Sequence, residues 1–290
     1  MISVHEESPD QERVRPVTGW SGDEEYFTFR EFDDFRPEEV VDVLNGRVAG
    51  VIFRGMISPD VCEQIASRFW ASPSIRERPS PPGHYLGTYH YHKPTGQYLD
   101  ECAESAAAVA EVLDVPGRPL DRFRRGLSDA LAPQGAIFRL AEKDGRQACM
   151  ALLRSWHGHG EFALVPHEDR SQCSEPQQAD FEIQQVLGYQ PAALNICLEN
   201  GTGGRLFYYN IRPDDESKRR LGLHYTGSPY PRGAVDGFEL LRVDVNPGDV
   251  YVFNGAHVHA VEPNVDPEAR RTTLAALLGF IDDKTVVSWT

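Results

Sequence analysis

Short runs of apolar and β-branched residues, separated by turn dipeptides, fill the second half of the chain after Pro133-Gln134-Gly135. Runs of this length favour strands, and Asn246-Pro247-Gly248 and Asn254-Gly255 are typical of turns between antiparallel neighbours. The predicted strands cover residues 136–140, 162–165, 192–198, 205–211, 238–245, 249–253 and 272–280. Such a series predicts a mainly β fold, a double-sheet jelly roll or cupin-like barrel.

The first half of the chain has helical patterns instead. Ser58-Pro59-Asp60 combines an N-cap residue with proline at the first helical position, and a shorter helix is predicted from Pro37. Further helices are predicted over 100–113 and 120–131, with one buried strand at 48–53. We expect these helices to buttress one sheet of the barrel.

The domain organisation follows from this division. Residues 1–35 are acidic and rich in proline and serine, which predicts a mobile or loosely packed arm with a few aromatic anchors. Residues 36–290 are long enough for a single domain, in which 36–134 supply mainly helical support and 135–290 the β core.

Charge and cysteine content restrict the partners. The net charge of -15 opposes binding to a nucleic-acid backbone, so a small-molecule substrate is favoured. The start of the chain does not resemble a signal peptide, and the chain has no long apolar run, so we expect no membrane contact. The chain has an odd number of cysteines, which are scattered and show no CxxC spacing: Cys62, Cys102, Cys149, Cys173 and Cys197. This pattern favours a reducing cytoplasm. The oligomeric state is not indicated.

A candidate metal site follows the predicted strand 162–165. His167 and Asp169 are two residues apart and can point to the same side of an extended chain, with Glu168 pointing away. A third ligand must come from a distant strand, and His259 is favoured over His257 because it lies eleven residues before Arg270. Two imidazoles and one carboxylate form the facial triad of non-haem Fe(II) oxygenases, which leaves metal positions open.

Arg270-Arg271-Thr272 is a candidate anchor for a carboxylate. An arginine fork binds carboxylate oxygens in pairs, and a turn followed by an antiparallel strand would return one of the two arginines to the metal. Thr272 is predicted to contribute its hydroxyl. The alternative is that the arginines form surface ion pairs with Asp266 and Glu268. Asn195 can also donate to this carboxylate or instead satisfy the backbone.

The substrate-contacting residues are harder to predict. Arg232 and Tyr225 lie in a glycine- and proline-rich loop over 224–237 that can act as a lid, or simply be a surface loop. His90 and Arg139 can line the same pocket, although a loop histidine and a paired arginine are the plainer alternatives. The spacings His90-Tyr91-His92 and His157-Gly158-His159 lack a nearby acidic partner and are interpreted as loop histidines.

Several of these motifs together resemble a known family. The series comprises His167-x-Asp169, Pro247-Gly248-Asp249-Val250, His259-x-Val261, Arg270-Arg271-Thr272 and Gly279-Phe280. It is similar to the Fe(II)/2-oxoglutarate-dependent oxygenases. Within them it resembles the carrier-independent group of indole-alkaloid (welwitindolinone and ambiguine type) halogenases and N-succinyl amino acid hydroxylases. The likeness includes Val51-Ile52-Phe53-Arg54-Gly55 and covers most of the chain after about residue 45.

The resemblance implies a double-stranded β-helix that uses Fe(II), 2-oxoglutarate and O2. His167, Asp169 and His259 would hold the iron, and Arg270 or Arg271 the 2-oxoglutarate. The halogenases of this group have glycine where this chain has Asp169, so the resemblance implies hydroxylation of a C–H bond with release of succinate and CO2. Desaturation, cyclisation, a cupin-type metal enzyme that does not use 2-oxoglutarate, and a non-catalytic binding protein remain as alternatives.

Overall fold

The computed structural model describes residues 15–79, 82–156, 162–231 and 233–290. The helices are Pro37–Leu44 (α1), Pro59–Ala71 (α2), Thr95–Leu113 (α3), Pro119–Leu131 (α4) and Asp215–Arg220 (α5). The strands are Gly19–Trp20 (β1), Phe29–Phe32 (β2), Gly50–Phe53 (β3), Arg76–Pro79 (β4), Pro82–Leu86 (β5), Ile137–Leu140 (β6), Glu142–Lys143 (β7), Arg146–Gln147 (β8), Leu152–Trp156 (β9), Leu164–His167 (β10), Ala192–Glu199 (β11), Leu206–Tyr209 (β12), Arg212–Pro213 (β13), Leu240–Val243 (β14), Val250–Asn254 (β15), His259–Val261 (β16), Arg271–Asp282 (β17) and Thr285–Trp289 (β18).

A large sheet forms the main layer, in the order β2-β3-β15-β11-β17-β9-β5-β4, with β18 joined to β17 and β6 to β18. The longest strand, β17, pairs antiparallel with β11 along one edge and with β9 and β18 along the other. Nearly every residue of β17 is buried. Both faces of this sheet are therefore covered, which explains the continuous apolar run of the strand.

A smaller sheet, in the order β10-β16-β12-β14, packs on one face of the large sheet. Its Leu206, Tyr208 and Val243 share an apolar cluster with Ala193 and Tyr251 of the large sheet. The two candidate histidine strands, β10 and β16, are neighbours within the small sheet. The candidate site therefore lies between two packed sheets.

The helices of the first half contribute to the main core. Val40, Ile65 and Phe123 belong to one buried cluster together with Leu194 and Leu274 of the large sheet. Helices α1, α2 and α4 each begin at a proline, which suits the first helical turn. Among the residues described, no helix has both the length and the apolar character needed to cross a bilayer.

The N-terminal segment differs from the loosely packed arm that was predicted. Residues 1–14 lie outside the described ranges, but Val17 and Phe27 are buried, and β2 pairs with β3. The aromatic anchors were expected, but the burial of Val17 and Phe27 in two apolar clusters holds the segment more firmly than its acidic composition indicated. Strands β4, β5, β9 and β18 were not predicted, and β9 proves to matter for the site.

Candidate metal and co-substrate site

The three predicted metal ligands lie together. His167 ends β10 and is paired with His259 at the start of β16, and their ring centroids are 4.1 Å apart. Asp169 follows two residues after His167 and is fixed by its backbone N–H, which donates to the Gly255 carbonyl at 2.7 Å. One ligand atom from each of the three residues lies within 4.8 Å of the others.

Hydrogen bonds set the tautomers of both histidines. The Nδ1 of His167 is 2.8 Å from the Val165 carbonyl, and the Nδ1 of His259 is 2.9 Å from the His257 carbonyl. A carbonyl only accepts, so each Nδ1 carries the proton and each Nε2 keeps a lone pair. The Nε2 of His259 is 3.6 Å from Oδ2 of Asp169. Both lone pairs are thus available to a metal ion.

Burial shifts the pKa values of all three groups. It lowers the pKa of His167 to about 3 and that of His259 to about 4, and it raises the pKa of Asp169 to about 6. Removal from water disfavours the charged form of each group. Neutral imidazoles and a buried carboxylate are a donor set that a divalent cation would stabilise, and two nitrogens with one oxygen suit Fe(II).

Two neighbours shape the approach to Asp169. A Cβ at position 255 would lie 2.6 Å from Asp169 Oδ2, so a residue larger than glycine would displace this oxygen. The other oxygen, Oδ1, accepts a hydrogen bond of 2.9 Å from the amide nitrogen of Gln172. The two carboxylate oxygens therefore have different surroundings.

His257, the alternative distal ligand, lies elsewhere. It is fully buried, with Nδ1 3.0 Å from the Tyr209 carbonyl and Nε2 3.2 Å from the Tyr26 hydroxyl. Its ring packs among Tyr26, Phe27 and Tyr208. Both ring nitrogens have protein partners, and the structure brings His259, not His257, to Asp169.

A cavity of about 410 Å³ opens between the sheets beside these ligands. Arg271 lines it, is buried, and forms no ion pair with any described residue. Its Nε donates to the Gly204 carbonyl at 2.9 Å, and one Nη is 3.4 Å from the Tyr251 hydroxyl. The backbone contact orients the guanidinium and leaves its terminal nitrogens for a ligand.

Arg270, which immediately precedes β17, and Thr272 on β17 both point to the side opposite Arg271. The Arg270 guanidinium stacks 4.3 Å from the Trp70 ring and is 3.9 Å from a Glu199 oxygen. The Thr272 hydroxyl donates to Glu199 at 2.5 Å. Both side chains are turned away from the cavity, so the Thr272 hydroxyl that was expected to contribute to the carboxylate anchor does not line it. Since neighbours in a strand alternate, Arg271 is the arginine that enters.

Arg154 is a second cavity arginine, and the sequence did not single it out. It lies on β9 opposite Thr273 of β17, whose side chain shares the face of Arg271. It donates to Asn195 Oδ1 at 3.2 Å, and burial lowers its pKa to about 10. The available signal was the run Ala151-Leu152-Leu153 before it, which is too short to distinguish a strand from a loop.

Two of the other predicted residues line the cavity, and two do not. Asn195 lines it and accepts from Arg154, while His90 lines it with its Nδ1 2.9 Å from Gln178 Oε1. Arg139 instead forms a bidentate pair with Glu182 outside the cavity. Tyr225 is half exposed and packs on its neighbour His224, also outside.

Arg232, His157 and His159 lie outside the described residues. Part of the predicted lid nevertheless contributes to the cavity wall through Thr226, Ser228 and Pro229.

This wall is hydrogen-bonded to β10 and to Glu168, the segment that carries the candidate ligands His167 and Asp169. The Tyr230 N–H donates to the Pro166 carbonyl at 2.8 Å, and the Glu168 N–H donates to the Gly227 carbonyl at 2.9 Å. The Glu168 side chain points away from the ligands, as predicted, and its carboxylate is 3.5 Å from the buried Lys218 ammonium. The segment is therefore a fixed wall of the cavity in this structure.

Comparison with known proteins places the chain in a family. No protein-family model matches it. It is 30% identical over 263 residues to the L-isoleucine 3(1)-dioxygenase of Pantoea ananatis (strain AJ13355), with 86% of each chain covered. It is 28% identical over 174 residues to leucinostatins biosynthesis cluster protein S of Purpureocillium lilacinum, covering 58% of this chain and 65% of that protein.

Its fold is similar to that of an N-substituted L-amino acid dioxygenase from Burkholderia ambifaria AMMD. The TM-score is 0.52 at 14% identity, over 88% of this chain and 91% of that one. The chain belongs to the Fe(II)/2-oxoglutarate-dependent oxygenases, enzymes that use Fe(II), 2-oxoglutarate and O2.

Proposed function

We propose that the enzyme hydroxylates an aliphatic C–H bond of an amino acid or a small amino-acid derivative, releasing succinate and CO2. The observation that carries this proposal is the presence, in one cavity, of the His167–Asp169–His259 cluster and of Arg271, which forms no ion pair with any described residue. The relative from Pantoea ananatis, named for L-isoleucine, supports the amino-acid substrate class.

In this proposal Nε2 of His167, Nε2 of His259 and Oδ2 of Asp169 hold the metal. Bound Fe(II) supplies the activation of O2 that couples decarboxylation of 2-oxoglutarate to oxidation of the substrate. The residues of the chain bind and orient the reactants and keep water away. The two histidines stay neutral because burial opposes their protonation.

The cavity arginines suit the dianionic co-substrate. Arg271, oriented by the Gly204 carbonyl, presents its terminal nitrogens to the carboxylate remote from the metal. Arg154 supplies a second positive charge, and Asn195 holds it in place. A neutral or singly charged ligand would leave two buried guanidinium groups poorly compensated, which is costly.

Asp169 favours hydroxylation over halogenation. Its Oδ2 faces His259. A carboxylate therefore occupies the position at which the halogenases similar to this sequence have glycine and bind a halide. Desaturation or cyclisation would use the same residues and differ in where the substrate lies. The mass of the product distinguishes these outcomes.

We further infer that the two sheets form a double-stranded β-helix and that residues 36–290 are one domain. The shared core of helices and sheet supports this. The net charge of -15 and the lack of disulfides in the described residues support a cytoplasmic enzyme that acts on small molecules and not on nucleic acid.

The test is turnover with Fe(II), 2-oxoglutarate and O2 in the presence of a panel of L-amino acids and their N-acetyl derivatives. We expect one class to release succinate and gain one oxygen atom by mass spectrometry. If Fe(II) binds but 2-oxoglutarate is not consumed with any member of the panel, the proposal is wrong. Arg271→Met and the matched Arg270→Met separate the cavity arginine from its exposed neighbour.

A further inference from the structure

A chain of buried polar groups runs from the protein interior to the candidate ligand Asp169, and its first member is Gln178. The Gln178 side chain is fully buried, and its amide nitrogen donates to the carbonyls of His90 and Lys93 at 2.8 and 2.9 Å. Both amide protons are thereby used. The Gln178 Oε1, 2.9 Å from Nδ1 of His90, can only accept.

The hydrogen-bonding direction of the Gln178 amide fixes the tautomer of His90. Its Nδ1 must carry the proton that Gln178 accepts, which leaves a lone pair on Nε2. Burial lowers the pKa of His90 to about 4, so the ring is neutral at physiological pH. The Nε2 atom is buried and has no hydrogen-bond partner among the described residues. A buried acceptor of this kind requires a donor.

Gln172 is the donor at hand. Its amide nitrogen gives one hydrogen bond to Asp169 Oδ1 at 2.9 Å, which leaves a second amide proton. The Gln172 side chain lines the same cavity as His90 and is one of the polar neighbours of its ring. An unpartnered lone pair and a spare N–H therefore lie at the wall of one cavity, beside the Asp169 carboxylate.

We propose that His90 is a positioning residue, which receives the second amide proton of Gln172 and thereby holds Asp169 so that only Oδ2 is offered to the metal. The inference rests on the proposed metal site. With Oδ1 engaged by Gln172, the carboxylate binds through one oxygen and leaves metal positions open for the reactants. Without His90, Gln172 rotates away and Asp169 turns to chelate with both oxygens.

The test uses Co(II) in place of Fe(II), in the full-length protein, with visible absorption as the readout. His90→Gln places an acceptor oxygen near the position of Nε2, whereas the matched His90→Asn keeps the contact with Gln178 and does not reach Gln172. We expect His90→Gln to keep the wild-type Co(II) spectrum and its change on addition of 2-oxoglutarate. His90→Asn, His90→Phe and Gln172→Leu should share an altered spectrum and bind Co(II) roughly 10–100-fold more weakly, as is typical of lost outer-shell partners.

Three outcomes of these measurements decide between the proposal and its alternatives. A wild-type spectrum and affinity in His90→Phe would overturn the positioning role. Should that variant fail to fold, the ¹⁵N NMR tautomer of His90 in the Zn(II)-loaded wild-type protein decides: a proton on Nδ1 is expected, and a proton on Nε2 would overturn the inference. If the wild-type protein itself does not bind Co(II), the proposed metal site fails, which is a distinguishable result.

Discussion

His167 and His259 stand opposite each other in register across β10 and β16, with their ring centroids 4.1 Å apart. A shift of one residue in this pairing would turn one imidazole to the other face of the sheet. The metal site therefore depends on strand register as much as on the identity of its residues.

The first prediction concerns the distal ligand. His259→Ala should abolish Fe(II) binding and coupled turnover, because it removes one of the two proposed nitrogen ligands. His257→Gln should keep both, although loss of its contacts with Tyr209 and Tyr26 lowers the melting temperature. Metal content and succinate release are the measurements. Loss of iron in His257→Gln with retention in His259→Ala would reverse the assignment.

The two adjacent arginines provide a matched pair. Arg271→Met should raise the KM for 2-oxoglutarate roughly 10–100-fold, since charge-assisted hydrogen bonds contribute about 1.5–3 kcal/mol. Arg270→Met should change this KM little, because Arg270 packs on Trp70 outside the cavity. Initial rates against 2-oxoglutarate concentration check this. Equal effects of the two substitutions would argue against the cavity assignment.

Arg154 should trade stability against function. Its Nε is buried without a hydrogen-bond partner among the described residues, a cost of about 1–3 kcal/mol. Arg154→Met should therefore stabilise the metal-free protein in urea unfolding and weaken the thermal stabilisation by 2-oxoglutarate in the Zn(II)-loaded protein. A variant that is less stable and binds 2-oxoglutarate normally would contradict this account.

The buried Lys218–Glu168 pair should behave as a coupled unit. Lys218→Met leaves the Glu168 carboxylate buried without its cation, which should cost about 3–5 kcal/mol. The double variant Lys218→Met/Glu168→Gln should recover much of this loss, because no charge remains to be compensated. Urea unfolding of both singles and the double measures the coupling. Additive effects would show that the pair does not interact.

The pH dependence of stability should contain a contribution from His90. Its pKa in the folded state, about 4, is below its ordinary value because of burial, with Gln178, Lys93, Gln172 and Glu175 as its polar neighbours. The unfolded state binds the proton more readily, so the contribution is present above about pH 6.5 and is lost as pH falls toward 4.

Between pH 7 and pH 5 this loss amounts to about 2 kcal/mol. In the metal-free protein His90→Gln should show a shallower fall in unfolding free energy over this range than the wild type. The other buried histidines are common to both proteins and cancel in the comparison. Parallel curves would indicate that His90 is protonated at a similar pH in both states.

The His167 and Asp169 pair was predictable because its information is local: the two residues are two apart at the end of a strand. His259 lies far along the sequence and was reached only through its spacing to the arginines and the family resemblance. The distinction between Arg270 and Arg271 is different in kind, since it depends on which face of β17 meets the small sheet. Which residues of β17 point to that face is set by its pairing with β9 and β11, and no local sequence pattern reveals this pairing.

Arg154 was missed for a related reason. A single arginine in a short apolar run is usually a solvated edge residue, and only the pairing with Thr273 carries it into the cavity. The fixed wall was also unpredictable, because glycine and proline indicate turns but not what the turns are bonded to. Its contacts to Pro166 and Glu168 are tertiary.

The central claim is that His167, Asp169 and His259 hold Fe(II) in one cavity with Arg271, which anchors 2-oxoglutarate. Anaerobic addition of Fe(II) and then 2-oxoglutarate tests it most directly, through the visible charge-transfer absorption that chelation of the iron produces. We expect this absorption in the wild type and in Arg270→Met, only at much higher 2-oxoglutarate concentration in Arg271→Met, and not in Asp169→Ala. Wild-type protein that binds Fe(II) without any change on addition of 2-oxoglutarate would contradict the account.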